Sequence, residues 1–198
     1  MRSRLLHRNL LAPVLAGVIV ATAVGAESAM ADTGGSRYVP PPPPAKRGKV
    51  VNGIAIPPQG APRRVKRAIA AANRIVRKPY VYGGGHDLYP RGVRASQAPL
   101  DDGYDCSGTV SFALYGGRFL RSPLDSSSFM RWGRRGKGRW ITVYTNPGHA
   151  YVVIAGLRLD TSGGDRVAPE EAASGRGPRW RKYRRSPRGY TARHPRRY

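Results

Sequence analysis

The sequence contains one cysteine, Cys106, within Gly103-Tyr104-Asp105-Cys106-Ser107-Gly108, and four histidines. Asp105 is a good helix N-cap. The apolar run that follows, closed by Gly116-Gly117, predicts a helix that starts at the cysteine. A cysteine in a first turn meets unpaired N–H groups and the positive end of the helix dipole, which favour a thiolate over a thiol. The same N–H groups can hold the oxyanion that forms when a thiolate attacks a carbonyl. A buried, inert cysteine beside a merely capping Asp105 accounts equally well for this segment alone. Because Asp105 is negative, a working thiolate here needs a basic partner.

His149 is the histidine sought for that part. It opens the strand-like run His149-Ala150-Tyr151-Val152-Val153-Ile154, after the turn residues Asn146-Pro147-Gly148, and Leu157-Arg158-Leu159-Asp160 can pair back as a hairpin. With Ala155-Gly156 as a two-residue turn, Tyr151 faces Asp160, one same-face step from His149. Such diagonal neighbours lie about 7–8 Å apart, within reach of longer side chains. A Gly156-Leu157 turn keeps the faces and moves Asp160 further off; a three-residue loop breaks the arrangement.

These elements need a scaffold. Val65, Ala68, Ile69, Ala72, Ile75 and Val76 fall at helical spacing and predict an amphipathic helix across 61–78, ended by Pro79. Tyr80-Val81-Tyr82 reads as a short strand entering Gly83-Gly84-Gly85-His86. No Gly-Lys-Ser/Thr follows, so this is no phosphate loop; the glycines mark a tight path or a close backbone approach. His86 reads as a loop histidine, and Ser126 to Trp132 as a short capped helix with core aromatics.

Tyr80-Val81-Tyr82-Gly83-Gly84, Asp105-Cys106-Ser107-Gly108 and Gly148-His149 at a strand start together resemble the NlpC-type papain-like cysteine peptidases of bacterial cell walls. The resemblance spans residues 62–165. It implies an α+β, papain-like fold in which the cysteine sits at a helix N-terminus packed against an antiparallel sheet that carries the histidine. It also implies hydrolysis of peptide or amide bonds in peptidoglycan, with Cys106 as nucleophile, His149 as general base and Asp160 as the third, orienting residue. Tyr80 matches the cleft-lining tyrosine, and Tyr82 and Ser107 are taken with it as substrate-binding. Two departures stand out. The third position is more often His, Asn or Gln in the family, and the stretch Arg118 to Trp140 lacks the usual Pro-Gly-Asp.

The rest of the chain bounds the context. It has 198 residues and a formal net charge of +24, from 35 Lys+Arg against 11 Asp+Glu. One cysteine excludes an internal disulfide, and with four histidines it leaves no zinc-finger pattern, so no metal or cofactor is expected. Arg2, Arg4 and Arg8 precede an apolar run from Leu10 to Ala26 and then Ala29-Met30-Ala31, which predicts a signal peptide over 1–31, cleaved after Ala31. The expected location is therefore secreted or envelope-associated. Residues 32–60, with five prolines at 40–44, read as a Pro-rich basic linker. A catalytic domain is expected over 61–165, and a basic C-terminal segment over 166–198, which Trp180 and Tyr190 could pack on the domain. That segment suits peptidoglycan or another anionic envelope polymer, with no dedicated nucleic-acid target. A solvated tail with no ligand fits its composition as well. The alternative function is a degenerate basic protein that binds anionic wall polymer or nucleic acid. Oligomeric state is not legible.

Overall fold

The apolar stripe of the first helix sets the packing. In α1 (Arg63–Ile75), Val65, Ala68, Ile69, Ala72 and Ile75 are buried, while Arg63 is exposed and Arg64, Arg67 and Arg74 are half-buried. The protein is described here from a computed structural model, covering residues 47–162, 177–181 and 185–198. The expected signal peptide lies outside the described residues. Among the described residues, no helix is long and apolar enough to cross a membrane.

The architecture is mixed helix and antiparallel sheet. β1 (Lys49–Val51) and β2 (Ile54–Ile56) form a hairpin, followed by α1, α2 (Cys106–Gly116) and α3 (Ser126–Phe129). Then come β3 (Arg134–Arg135), β4 (Ile141–Asn146), β5 (His149–Ile154), β6 (Leu157–Asp160), β7 (Arg179–Arg181) and β8 (Thr191–His194). The last six make one antiparallel sheet in the order β3-β8-β4-β5-β6-β7. Strand alternation puts Val143, Val152, Ile154, Leu159 and Trp180 in one core with Val65, Ile69, Val110 and Leu114 of α1 and α2. Full burial of each branched side chain contributes roughly 1.5–3 kcal/mol.

Two sequence expectations are corrected. Residues 49–56, expected within the linker, form the β1–β2 hairpin around Asn52 and Gly53, both with positive φ. Asn-Gly is the preferred pair for a tight hairpin turn. The Asn73 side chain accepts from Ala55 N–H at 3.0 Å and donates to the Ala55 carbonyl at 2.9 Å, which ties the hairpin to α1. Tyr80 to Tyr82 is not a strand. Tyr104 N–H bonds the Pro79 carbonyl and Val81 N–H the Tyr104 carbonyl, and the chain then turns through the glycines instead of building a ladder. Of the two readings of the basic C-terminal segment, a solvated tail or one packed on the domain, its described part follows the second, with β7 and β8 as sheet strands. Trp180 is buried and donates its indole N–H to Asn73 Oδ1 at 2.8 Å.

Candidate active site

Cys106 is the first residue of α2, and the Asp105 side chain caps that helix by accepting from Gly108 N–H at 2.7 Å. The N–H groups of Cys106 and Ser107 are among those that any helix start leaves without an intrahelical partner. The glycines pin this turn in place. A Cβ on Gly108 would collide with the Gly84 carbonyl oxygen, so α2 starts directly against the glycine loop. Gly83 N–H donates to Asp105 Oδ2 at 3.1 Å and closes the contact.

The sheet delivers the other half. β5 and β6 pair Val152 with Leu159 and Ile154 with Leu157 around Ala155 and Gly156, both with positive φ. The two-residue turn places Asp160 opposite Tyr151, on the face of His149. His149 Nε2 donates to Asp160 Oδ1 at 2.9 Å. With Nε2 so engaged, the ring nitrogen left for Cys106 is Nδ1, and the His149 ring and the Cys106 thiol share a hydrogen bond. Ser126 Oγ lies 3.7 Å from Cys106 Sγ. Thr145 Oγ1 fixes Ser126 by donating to its carbonyl.

The electrostatics favour an ion pair. Burial pushes the Cys106 thiol up. Hydrogen bonds from His149 and from the Ala150 backbone, with the histidine's charge, outweigh it and hold the thiol below its ordinary value. Burial pulls His149 down, but its bonds to Asp160 and Cys106 win and push it up to about 9. The two shifts, the thiol lowered and the histidine raised, both favour a thiolate beside an imidazolium over the neutral pair. Asp160 is itself secured. Its side chain is fully buried, Oδ1 also accepts from Ser162 N–H at 3.1 Å, and Oδ2 faces Arg185 Nη1 at 3.3 Å and Arg158 Nη1 at 3.4 Å. Rings of Tyr151 and Tyr190 flank His149 at 6.4 and 6.3 Å.

The three residues expected to do chemistry thus converge. The three expected to bind substrate differ among themselves. Tyr82 is 90% exposed and Tyr80 half-buried, on the loop fastened to Asp105. Ser107 is buried, and its hydroxyl turns to Asp105 Oδ1 and His86 Nε2, each at 3.2 Å. His86 itself sits 3.0 Å from Asp105 Oδ1, and that bond raises its pKa. Asp105 is pushed up by burial, yet His86 and Gly108 bring it below the usual carboxylate range. Sequence reasoning missed His86, Ser126, Arg158 and Arg185 as neighbours of the site. No local pattern announces them; each arrives by packing. Among the described residues, no group of three or more His, Cys, Asp or Glu side chains is arranged to hold a metal.

Fold and site together define a mixed α+β protein with a helix-capped cysteine facing a histidine–carboxylate pair on an antiparallel sheet. No family model matches the chain, and no curated protein does. Among solved structures it is similar to the peptidoglycan hydrolase RipB from Mycobacterium tuberculosis, with a TM-score of 0.43 and 23% identity over 68% of each chain.

Proposed function

We propose that the protein is an exported cysteine hydrolase that cleaves peptide or amide bonds in peptidoglycan. The observation that carries this reading is the line Cys106–His149–Asp160, with a lowered thiol, a raised histidine and a 2.9 Å histidine–carboxylate bond. In the reaction, the Cys106 thiolate attacks the scissile carbonyl, and the oxyanion is met by N–H groups at the α2 start. His149 gives its Nδ1 proton to the leaving amine, which departs and leaves a thioester on Cys106. The neutral ring then takes a proton from water, the hydroxide breaks the thioester, and the thiolate is regenerated. Asp160 keeps Nε2 protonated, so that Nδ1 is the nitrogen that exchanges the proton.

The substrate class rests on the resemblance of residues 62–165 to NlpC-type peptidases, with a papain-like arrangement of helix and sheet. Tyr80 and Tyr82, on the loop beside Asp105, are assigned to the cleft. Export rests on the charged and apolar pattern of residues 1–31. The test is incubation of the purified protein with peptidoglycan, with mass spectrometry of the released fragments. New amino and carboxyl ends are expected from the native protein and none from Cys106→Ala. Undigested peptidoglycan, with a Cys106 alkylation rate that follows an ordinary thiol, would remove the proposal.

A further inference from the structure

A second histidine meets the residues on either side of Cys106. His86 ends the glycine loop, and that loop is fastened to the start of α2. Asp105 N–H bonds the Gly84 carbonyl at 3.1 Å, and Gly85 N–H donates to Asp101 Oδ2 at 2.6 Å. Gly85 has a φ of +82°, and a Cβ there would stand 2.9 Å from Gly108 Cα, so a glycine is what lets the loop come this close.

His86 Nε2 lies 3.0 Å from Asp105 Oδ1 and 3.2 Å from Ser107 Oγ. Those two residues are the chain neighbours of the cysteine. As a carboxylate, Asp105 only accepts, so Nε2 carries the hydrogen and donates it. Ser107 Oγ also donates to Asp105 Oδ1, at 3.2 Å. One ring nitrogen thus serves both neighbours, which excludes a relay of Ser107, His86 and Asp105. A relay needs the base to meet hydroxyl and carboxylate through opposite nitrogens.

The charge of Asp105 matters because of its place. A carboxylate beside a thiolate opposes it, whereas the helix start favours it. The helix start needs Asp105 all the same, since Oδ1 caps Gly108 N–H at 2.7 Å. A cation on that oxygen keeps the cap and offsets its charge. The bond to Asp105 raises His86 against burial, and the charges of Asp105, of Cys106 and of Asp125 at the α3 N-cap add to it. Asp87 and Asp101 stand on the same loop. The coupling to Cys106 is mutual: a protonated His86 favours the thiolate as the thiolate favours the protonated ring.

We infer that His86 is a positioning residue for Cys106, holding Asp105 and Ser107 through one N–H and offsetting the Asp105 charge beside the nucleophile. It acts through the neighbours of the cysteine, whereas His149 bonds the thiol itself. The role rests on the cysteine-hydrolase reading only for the use made of the thiolate; the effect on the thiol stands without it.

The experiment follows the rate of Cys106 alkylation by iodoacetamide against pH in the full chain. His86 is half-buried on a loop, and His86→Gln keeps an N–H donor while it removes the charge. The inflection should move up by about half a pH unit, less than the roughly 1–3 units of a close, direct pair. On the acid side, that lowers the alkylation rate about threefold. Asp105→Asn keeps a good cap and removes the charge that His86 offsets. In that background His86→Gln should shift the inflection less than half as far, because the ring has lost the bond that favours its protonation. A residue that merely props the loop would shift it equally in both backgrounds. Independently of His86→Gln, histidine-ring NMR of the native chain should show His86 titrating above about 6.5, and lower in Asp105→Asn. No shift of the thiol, an equal shift in both backgrounds, or a ring that titrates alike with and without the Asp105 charge would overturn the assignment. The native inflection itself tests the hydrolase reading and its displacement tests His86, so each can fail alone.

Discussion

His149 Nε2 and Asp160 Oδ1 lie 2.9 Å apart across adjacent strands, and the carboxylate of that pair is fully buried. The bond fixes more than a ring angle. Asp160 Oδ2 is also the counter-charge of Arg158 and Arg185, so one residue both orients the histidine and neutralises buried cations.

That dual role separates two substitutions. Asp160→Asn preserves size and a carbonyl acceptor but removes the charge that favours the imidazolium. We expect turnover to fall at least a hundredfold, or about 2.7 kcal/mol in the barrier. Both substitutions strip Arg158 of an ion-pair partner, at about 3–5 kcal/mol of stability, and Asp160→Ala also removes the hydrogen-bond acceptor. Steady-state kinetics beside urea unfolding checks both. Near-native turnover in Asp160→Asn would show that orientation needs no charge, and near-native turnover in Asp160→Ala would return the orienting role to another residue.

The thiolate–imidazolium pair predicts a particular pH profile of stability. His149, raised from about 6.5 to about 9, contributes stability fully present below pH 6.5 and lost as pH rises through 9. Cys106, lowered, contributes stability fully present above the free-thiol value of about 8.5 and lost as pH falls through its folded value. As pH rises from about 6.5 the histidine's contribution shrinks while the cysteine's grows toward about 8.5, so the two oppose each other. The Tm difference between the native protein and Cys106→Ala/His149→Gln should therefore shrink toward acid, as pH falls through the thiol's folded value, and toward alkali, as pH rises through about 9. A difference that keeps growing toward acid would contradict the ion pair.

Asn73 joins three pieces of chain through one amide: both backbone groups of Ala55 and the Trp180 indole. Asn73→Ala leaves these groups without their partner, at about 1–3 kcal/mol for a buried group. Urea unfolding should show that loss, and amide exchange at Ala55 should quicken well before global unfolding.

Legibility followed sequence distance. The cysteine helix rests on its own cap and closing glycines, and the His149–Asp160 juxtaposition on a two-residue turn, so short-range patterns suffice for both. His86 reaches Asp105 only because the glycine loop folds back onto α2, and no periodicity records that approach. β1 and β2 hide in proline-rich, basic surroundings, although Asn52-Gly53 is a strong turn signal in itself. The arginines of β7 and β8 leave a solvated tail and a packed segment both open in the sequence, and only Trp180 and Tyr190 hint at the packing that the sheet shows. Tyr80 to Tyr82 misleads in the opposite sense: its residues favour strands, but it finds one rung at Tyr104 in place of a neighbouring strand.

The sheet order has a consequence for synthesis. β8, residues 191–194, lies between β3 and β4, so a strand made after the other described strands occupies an interior place beside strands made much earlier. Until it arrives, β4 keeps one row of backbone groups open, and Tyr190 has not yet come to stand beside His149. Cys106, His149 and Asp160 all leave the ribosome before that strand. The nascent chain thus holds Cys106 for a time beside an unfinished sheet, and β8 completes both the row of backbone bonds on β4 and the surroundings of the histidine.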